Sequence, residues 1–230
     1  MRKNTWKLLK LFRESNIDFY LYGGFAIELP RYQRISNLYS KADDHLNRTF
    51  NFKKNRKQKR RHKDIDIFIN TEYLNKIKQL VKDEYVLFPI KDTNKVISFN
   101  ILDNNGSNLE IDIKLYKEFK LNREEILSFS NIIISKIFLI ENYLVCCYGS
   151  LKIKLLPLVL LYIFTISADR HKSKEVKFLI SILSQNMRKE TFYILQQNIK
   201  FYQSIQKYNL EIKKFVDKLK YGLKILNRNS

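Results

Sequence analysis

The stretch Arg60-Arg61-His62-Lys63-Asp64-Ile65-Asp66-Ile67-Phe68-Ile69 decides the fold of this chain. Its second half is rich in β-branched and aromatic residues, which predicts a strand. Because side chains alternate along a strand, Asp64 and Asp66 lie on one face and the isoleucines on the other. Two close carboxylates repel each other, and a cation between them allows both to stay ionised. The pattern favours a divalent-metal site; an ordinary exposed strand with two acids is the alternative.

A second acidic strand is predicted further along, at Leu109-Glu110-Ile111-Asp112-Ile113-Lys114-Leu115-Tyr116. Apolar and polar residues alternate strictly here, so Glu110, Asp112 and Lys114 share one face. If this strand pairs with the first, Asp112 joins Asp64 and Asp66 as a third carboxylate. Glu110 is the alternative to Asp112, two positions along the strand, and a half-exposed amphipathic strand without chemistry is the other interpretation.

A glycine pair precedes both acidic strands. Residues 17–22 predict a strand that leads directly into Gly23-Gly24, and a short helix is predicted from Phe25. Glycines let the backbone approach an anion, and the free N–H groups at a helix start point towards it. Gly23 and Gly24 are therefore candidate phosphate-binding residues, although a tight strand-to-helix turn alone explains the same pattern.

Residues 31–63 form a basic insertion between the glycine pair and the first acidic strand. From Arg48 to Lys63 there are nine basic residues and no acidic one, with Phe50 and Phe52 between them. A block of like charge predicts a solvated loop, and aromatic residues beside it suit phosphates and stacked bases. The candidate acceptor-binding residues are Lys53, Lys54, Arg56, Lys57 and Lys59.

Composition supports a globular protein with a polyanionic partner. The chain has 230 residues, 45% of them apolar, and a net charge of +20. Such a surface attracts nucleic acid or nucleotide phosphates, although an AT-rich genome would also raise the lysine content.

The adjacent Cys146 and Cys147 have no metal-binding spacing and fit a reducing cytoplasm. No apolar signal core follows the N-terminus, and the apolar run at 155–166 is too short to span a membrane.

The remaining segments predict an α/β core followed by helices. A helix is expected from Thr71 to about Asp83, and strands are expected at 85–89 and 96–102. The C-terminal part predicts helices at 154–168, 172–184, 188–206 and 208–226. A weak linker near Gly149-Ser150 divides the chain into domains 1–150 and 151–230.

Three motifs together resemble a known family. Gly23-Gly24-Phe25-Ala26, then Arg60-x-His62-x-Asp64-x-Asp66, then Ile111-Asp112-Ile113 resemble the DNA polymerase beta-type nucleotidyltransferase superfamily. Within it, the sequence is most similar to lincosamide and aminoglycoside nucleotidyltransferases and to toxin-type relatives. The resemblance implies an α/β (α+β) core with a mixed β-sheet flanked by helices, and a helical C-terminal part that helps to shape the acceptor and base sites.

The resemblance also implies a role for each motif residue. Asp64, Asp66 and Asp112 would be the catalytic residues and hold two Mg²⁺ ions, with Asp112 also accepting the proton of the acceptor hydroxyl. Gly23 and Gly24 would bind the β- and γ-phosphates of an NTP such as ATP. Arg60 or His62 would steady the triphosphate or the aspartate strand. The implied reaction moves an NMP from the NTP to a hydroxyl group.

Two departures bear on the acceptor. The long interval between Gly24 and Asp64 contains the basic insertion, which favours a polyanionic acceptor such as RNA, for example a tRNA end, over a small antibiotic. Downstream, Arg170-His171-Lys172-Ser173-Lys174-Glu175 matches a helical motif of the relatives but lacks its first acid. An antibiotic-type enzyme and a non-catalytic RNA-binding protein with the same fold are the alternatives.

Overall fold

The computed structural model describes residues 3–32, 48–51, 64–84, 86–92, 96–102, 108–129, 131–148, 150–168, 174–205 and 209–228. Contacts divide these residues into two compact units, with the boundary between Leu156 and Pro157. The basic residues from Lys53 to Lys63, including Arg60 and His62, lie outside the described residues, as do 169–173 of the downstream motif.

The first unit is built from strands with helices between them. Its helices are α1 (Lys3–Glu14), α2 (Gly23–Tyr32), a 3-10 turn (Thr71–Tyr73), α3 (Leu74–Glu84) and α4 (Lys136–Asn142). Its strands are β1 (Phe19–Tyr22), β2 (Arg48–Asn51), β3 (Asp64–Asn70), β4 (Val86–Asp92), β5 (Val96–Leu102), β6 (Asn108–Leu121), β7 (Glu124–Phe129), β8 (Ile132–Ser135), β9 (Leu144–Tyr148) and β10 (Leu151–Leu155).

These strands form one mixed sheet in the order β2-β9-β10-β1-β3-β6-β5-β4, with β7 paired to β6 and β8 paired to β7. The pairs β1–β10, β2–β9 and β3–β6 are parallel, and the other pairs are antiparallel. The α/β core with a mixed sheet, expected from the sequence, is confirmed.

The central strands have one apolar face, as the alternation predicted. Ile65, Ile67 and Ile69 of β3 and Ile111 and Ile113 of β6 are buried on it. Helix α1 contributes apolar side chains that are also fully buried, and the rings of its Phe12 and of Phe19 meet edge to face with centroids 5.9 Å apart. Because side chains alternate along a strand, burial of this face places Asp66 of β3 and Asp112 of β6 on the opposite face.

Two predictions at the edges of this unit were wrong. The helix expected from residue 154 begins at Leu158, and residues 151–155 form strand β10, which pairs with β1 and so belongs to the first unit. Pro157 separates the two elements, because proline has no N–H for a helix interior but suits a helix start. Arg48–Asn51, expected in a loop, is strand β2 beside β9.

Both cysteines lie on β9 and are buried free thiols, as expected for core residues. Burial, together with the neighbouring Cys147, raises the pKa of the Cys146 thiol to about 12. A thiol with that pKa is protonated at neutral pH and unreactive.

The second unit is helical, with α5 (Leu158–Ser167), α6 (Lys174–Ile182), α7 (Gln185–Ser204) and α8 (Leu210–Arg228). Residues 158–166 of α5 are all buried, so this helix is the centre of the unit. The side chain of Ser184 caps α7 by accepting a hydrogen bond from the Met187 N–H. No helix in the described part of the chain is both long and apolar enough to cross a bilayer.

Candidate active site

The two acidic strands lie side by side. Strand β3 pairs with β6 in parallel, in a register that places Asp66 beside Asp112 and the backbone of Asp64 beside that of Glu110. Paired residues of neighbouring strands project to the same face, and such strands are about 4.8 Å apart. The sequence predicted each strand but left their pairing open, and the structure brings Asp66 and Asp112 together.

Exposure differs sharply within each strand. Asp66 and Asp112 are both half-buried, whereas their neighbours Ile65, Ile67 and Ile111 are at most 2% exposed. The alternation therefore holds two carboxylates at an accessible position on a rigid, buried scaffold. The side chains of Asp64, Glu110 and His62 lie outside the described residues.

The glycine turn lies directly against this acid pair. Tyr22, the last residue of β1, is the antiparallel partner of Asp66, and Gly23 follows it at the start of α2. Gly23 has a φ of +69°, and a Cβ atom built on it would lie 2.0 Å from Asp66 Oδ2 and 2.6 Å from Asp66 Cγ. Only glycine tolerates both the left-handed conformation and this approach.

This contact adds a reason for the glycine that the sequence did not supply. The sequence explained Gly23 either by the approach of a phosphate to the backbone or by a tight strand-to-helix turn. In the structure, Gly23 also makes room for the Asp66 carboxylate, so the turn and the acid pair form one cluster. Gly24 is half-buried in the first turn of α2, where backbone N–H groups lack helical acceptors.

An aromatic wall continues from the acid pair along the same face. The ring of Tyr22 lies 4.2 Å from that of Phe68, which meets Phe129 at 4.8 Å, and Phe129 lies 4.8 Å from Tyr116. All four residues are buried. Burial raises the pKa of the Tyr116 hydroxyl, so this phenol stays protonated and does not serve as a general base near neutral pH. The carboxylates remain the better candidates for that role.

Lys114 is a neighbour of the acid pair that the sequence did not single out. It lies two residues beyond Asp112 on the same face of β6, with Phe68 as its backbone partner. Its Nζ atom is 4.9 Å from the centroid of the Tyr22 ring. The alternation of the sequence already placed Lys114 on the same face as Asp112. It could not show that the ring of Tyr22, on β1, lies close to the Lys114 ammonium group.

The donor set of this cluster fits a hard divalent cation. Carboxylate oxygens are the ligands that Mg²⁺ prefers, and the ion is commonly held by one or two carboxylates together with substrate phosphates. Asp66 and Asp112 supply such a pair. Within the described residues no group of three or more Cys, His, Asp or Glu side chains is placed to hold a metal ion.

The comparisons with known proteins concern the fold. No protein-family model and no curated protein sequence matches the chain. The crystal structure of a lincosamide antibiotic adenylyltransferase, lincomycin-bound, matches with 16% identity and a TM-score of 0.50, covering 79% of this chain and 98% of that one. The solution structure of the antibiotic-resistance factor ANT(2'')-Ia matches with 8% identity and a TM-score of 0.52, covering 86% and 92%.

These likenesses show that the chain has the nucleotidyltransferase fold, which confirms the fold that the three motifs implied. A CCA-adding enzyme of Thermotoga maritima in complex with tRNA also aligns, with 14% identity over 97% of this chain and 50% of that one. Its TM-score of 0.27 is too low to bear on the acceptor.

Proposed function

We propose that this chain is a Mg²⁺-dependent nucleotidyltransferase that moves an NMP from an NTP to a hydroxyl group. The observation that carries the proposal is the cluster of Asp66, Asp112 and Gly23, in which two accessible carboxylates lie on paired strands and a glycine turn lies against one of them. Paired carboxylates beside a glycine turn at a helix start suit phosphoryl-group chemistry.

The reaction needs little covalent help from the protein. The acceptor hydroxyl attacks the α-phosphorus, the bond to the bridging oxygen breaks, and pyrophosphate leaves. Bound Mg²⁺ would neutralise charge on the phosphates, and two ions are expected. Asp66 and Asp112, together with Asp64, would hold the metal. Asp112 would also accept the hydroxyl proton, and the N–H groups of Gly23 and Gly24 would bind the terminal phosphates, with Arg60 or His62 steadying them.

We prefer RNA as the acceptor, because the net charge is +20 and the nine basic residues from Arg48 to Lys63 precede the metal-binding strand. A small molecule is the second candidate, since the lincosamide enzyme of the same fold is described in a lincomycin-bound state. We place nucleotide binding in the first unit, which contains β1, β3 and β6. A cytoplasmic location suits the two free cysteines.

The direct test is transfer of label. The protein is incubated with Mg²⁺, total RNA and each of the four NTPs labelled at the α-phosphate, with γ-labelled NTP as the control for phosphoryl transfer. Label from the α-position alone on RNA supports the proposal. Pyrophosphate release only with small acceptors supports the antibiotic-type reaction, and neither product, with RNA bound, supports a non-catalytic RNA-binding protein.

The acceptor proposal has its own test. Replacing Lys53, Lys54, Arg56, Lys57 and Lys59 with Ser should weaken RNA binding and flatten its salt dependence, because each lost phosphate contact changes the log–log slope by about 0.7. Affinity for the NTP should change little. Equal RNA affinity and an equal slope in the variant would move the preferred acceptor from RNA to a small molecule.

A further inference from the structure

Lys114 occupies a defined position beside the acid pair. Across four adjacent strands, Lys154, Tyr20, Phe68 and Lys114 form one row of paired residues. The neighbouring row contains Tyr22, Asp66 and Asp112. Lys114 is therefore two residues along β6 from Asp112 and on the same face, a spacing of about 7 Å in a β-strand. Its side chain is half-buried.

The ammonium group of Lys114 lies over the ring of Tyr22. The Nζ atom lies 4.9 Å from the ring centroid, within the range of a cation–π interaction. The ring itself is held by the buried Phe68, 4.2 Å away, and Tyr22 immediately precedes Gly23. The ammonium group is thus held over the residue that leads into the glycine turn.

The negative charges of the proposed substrate explain why a cationic side chain would be needed at the position of Lys114. Asp66, Asp112 and a triphosphate are all anionic, and an NTP approaches them only where positive charge offsets the repulsion. Bound metal would supply part of that charge. A lysine ammonium is a compact charge that serves as a phosphate ligand, and its flexible stem allows it to leave an aromatic ring for a phosphate oxygen.

We infer that Lys114 binds the triphosphate of the NTP at the acid pair, as a phosphate ligand additional to the Gly23-Gly24 turn. This inference rests on the proposed nucleotidyl transfer. It also predicts that the lysine distinguishes a nucleoside triphosphate from a monophosphate, because the additional phosphates are the groups that it would contact.

Lys154 is a matched control within the same row. Its Nζ atom lies 5.4 Å from the ring centroid of Tyr20 and 5.2 Å from that of Tyr143, and it donates hydrogen bonds of 2.8 and 2.9 Å to the two carboxylate oxygens of Asp18. It is thus a lysine on the same face, also over tyrosine rings, but three strands away from Lys114.

The experiment measures binding of α,β-methylene analogues of the four NTPs, and of the matching NMPs, by calorimetry in Mg²⁺ buffer with the full chain. Lys114→Met should weaken binding of the triphosphate analogue about tenfold, the loss of one charge-assisted contact, and NMP binding much less. Lys114→Arg should retain most of the affinity. Lys154→Met should leave both affinities unchanged.

Two outcomes would overturn the inference separately. In the first outcome, the wild-type chain binds NTP, and the folded Lys114→Met variant keeps the wild-type ratio of NTP affinity to NMP affinity. Lys114 then does not bind phosphate, but the proposed function stands. If the wild-type chain binds no NTP, both fail. Should Lys114→Met not fold, acylation of wild-type lysines followed by mass spectrometry decides: NTP should protect Lys114 but not Lys154, and equal labelling with and without NTP overturns the inference.

Discussion

Gly23 and Gly222 each permit a close approach, in different units and for different reasons. A Cβ atom on Gly23 would lie 2.0 Å from Asp66 Oδ2, a charged group in a half-buried site. A Cβ atom on Gly222, inside α8, would lie 2.8 Å from Ile166 Cγ2 of α5, a methyl group in a buried core. The Gly222 carbonyl also accepts a 2.8 Å hydrogen bond from the Tyr162 hydroxyl.

The difference places one glycine beside the acid pair and the other in a tightly packed helix contact. Glycine inside a helix costs about 0.5–1 kcal/mol relative to alanine, so Gly222 needs a compensating contact, and the close crossing of α5 and α8 supplies it. Gly23 stands at a helix start with a φ of +69°, where alanine is strained whatever the space. Changes around Gly23 should therefore affect transfer most, and changes around Gly222 should affect stability.

The largest effect is expected at the carboxylate that Gly23 touches. Asp66→Asn, alone or with Asp64→Asn, and Asp112→Asn should each lower transfer by at least about 10²–10³-fold, the size of effect that follows loss of one electrostatic contact to a transition state. The melting temperature should stay level or rise, because repulsion between the acids is relieved. Initial rates and thermal melts measure both quantities. Full activity in any of these variants would end the catalytic interpretation.

Gly23→Ala should have the next largest effect. The new Cβ would displace the Asp66 carboxylate, and a displacement of about 1 Å in a reaction site can cost about 100-fold in rate. The left-handed conformation should add a stability loss of about 1–2 kcal/mol. Steady-state rates are measured below the variant's melting temperature. Unchanged rates with lowered stability would mean that the glycine serves the backbone turn alone.

Gly222→Ala should lower the stability of the protein without changing its activity, unlike Gly23→Ala. Overpacking against Ile166 costs about 1–3 kcal/mol, and the gain in helix propensity returns about 1 kcal/mol. The free energy of unfolding, from urea titration, should therefore fall by up to about 2 kcal/mol. The transfer rate per folded molecule should equal that of the wild type. An equally large loss of activity would contradict the division between the two glycines.

The smallest effect is expected for Tyr162→Phe, which removes the hydroxyl that donates to the Gly222 carbonyl. The loss should be about 1 kcal/mol, typical of one buried hydrogen bond. Burial raises the pKa of the Tyr162 hydroxyl, so the donor stays protonated and the loss should be the same at pH 6 and pH 9. Urea titrations at both values test this. A loss present only at pH 6 would show that the hydroxyl ionises.

Several elements of the fold could be predicted from local patterns. The alternation in residues 64–69 and 109–116 gave strands β3 and β6 with the correct buried faces. Helices α6, α7 and α8 lie within a few residues of their predicted bounds. Strand β10 was missed although Leu151, Ile153 and Leu155 alternate with lysines, because this alternation covers only five residues and leads directly into the longer apolar run that was read as a helix.

The sequence by itself determined which residues could form a nucleotide site, because alternation and glycine conformation are local properties of the chain. Only the tertiary structure decided that Asp66 lies beside Asp112, that Gly23 contacts Asp66, and that Lys114 lies over Tyr22. Each of these depends on register between strands that are distant in sequence. A shift of one residue would turn every side chain of a strand to the other face, and burial of the whole apolar face selects against it.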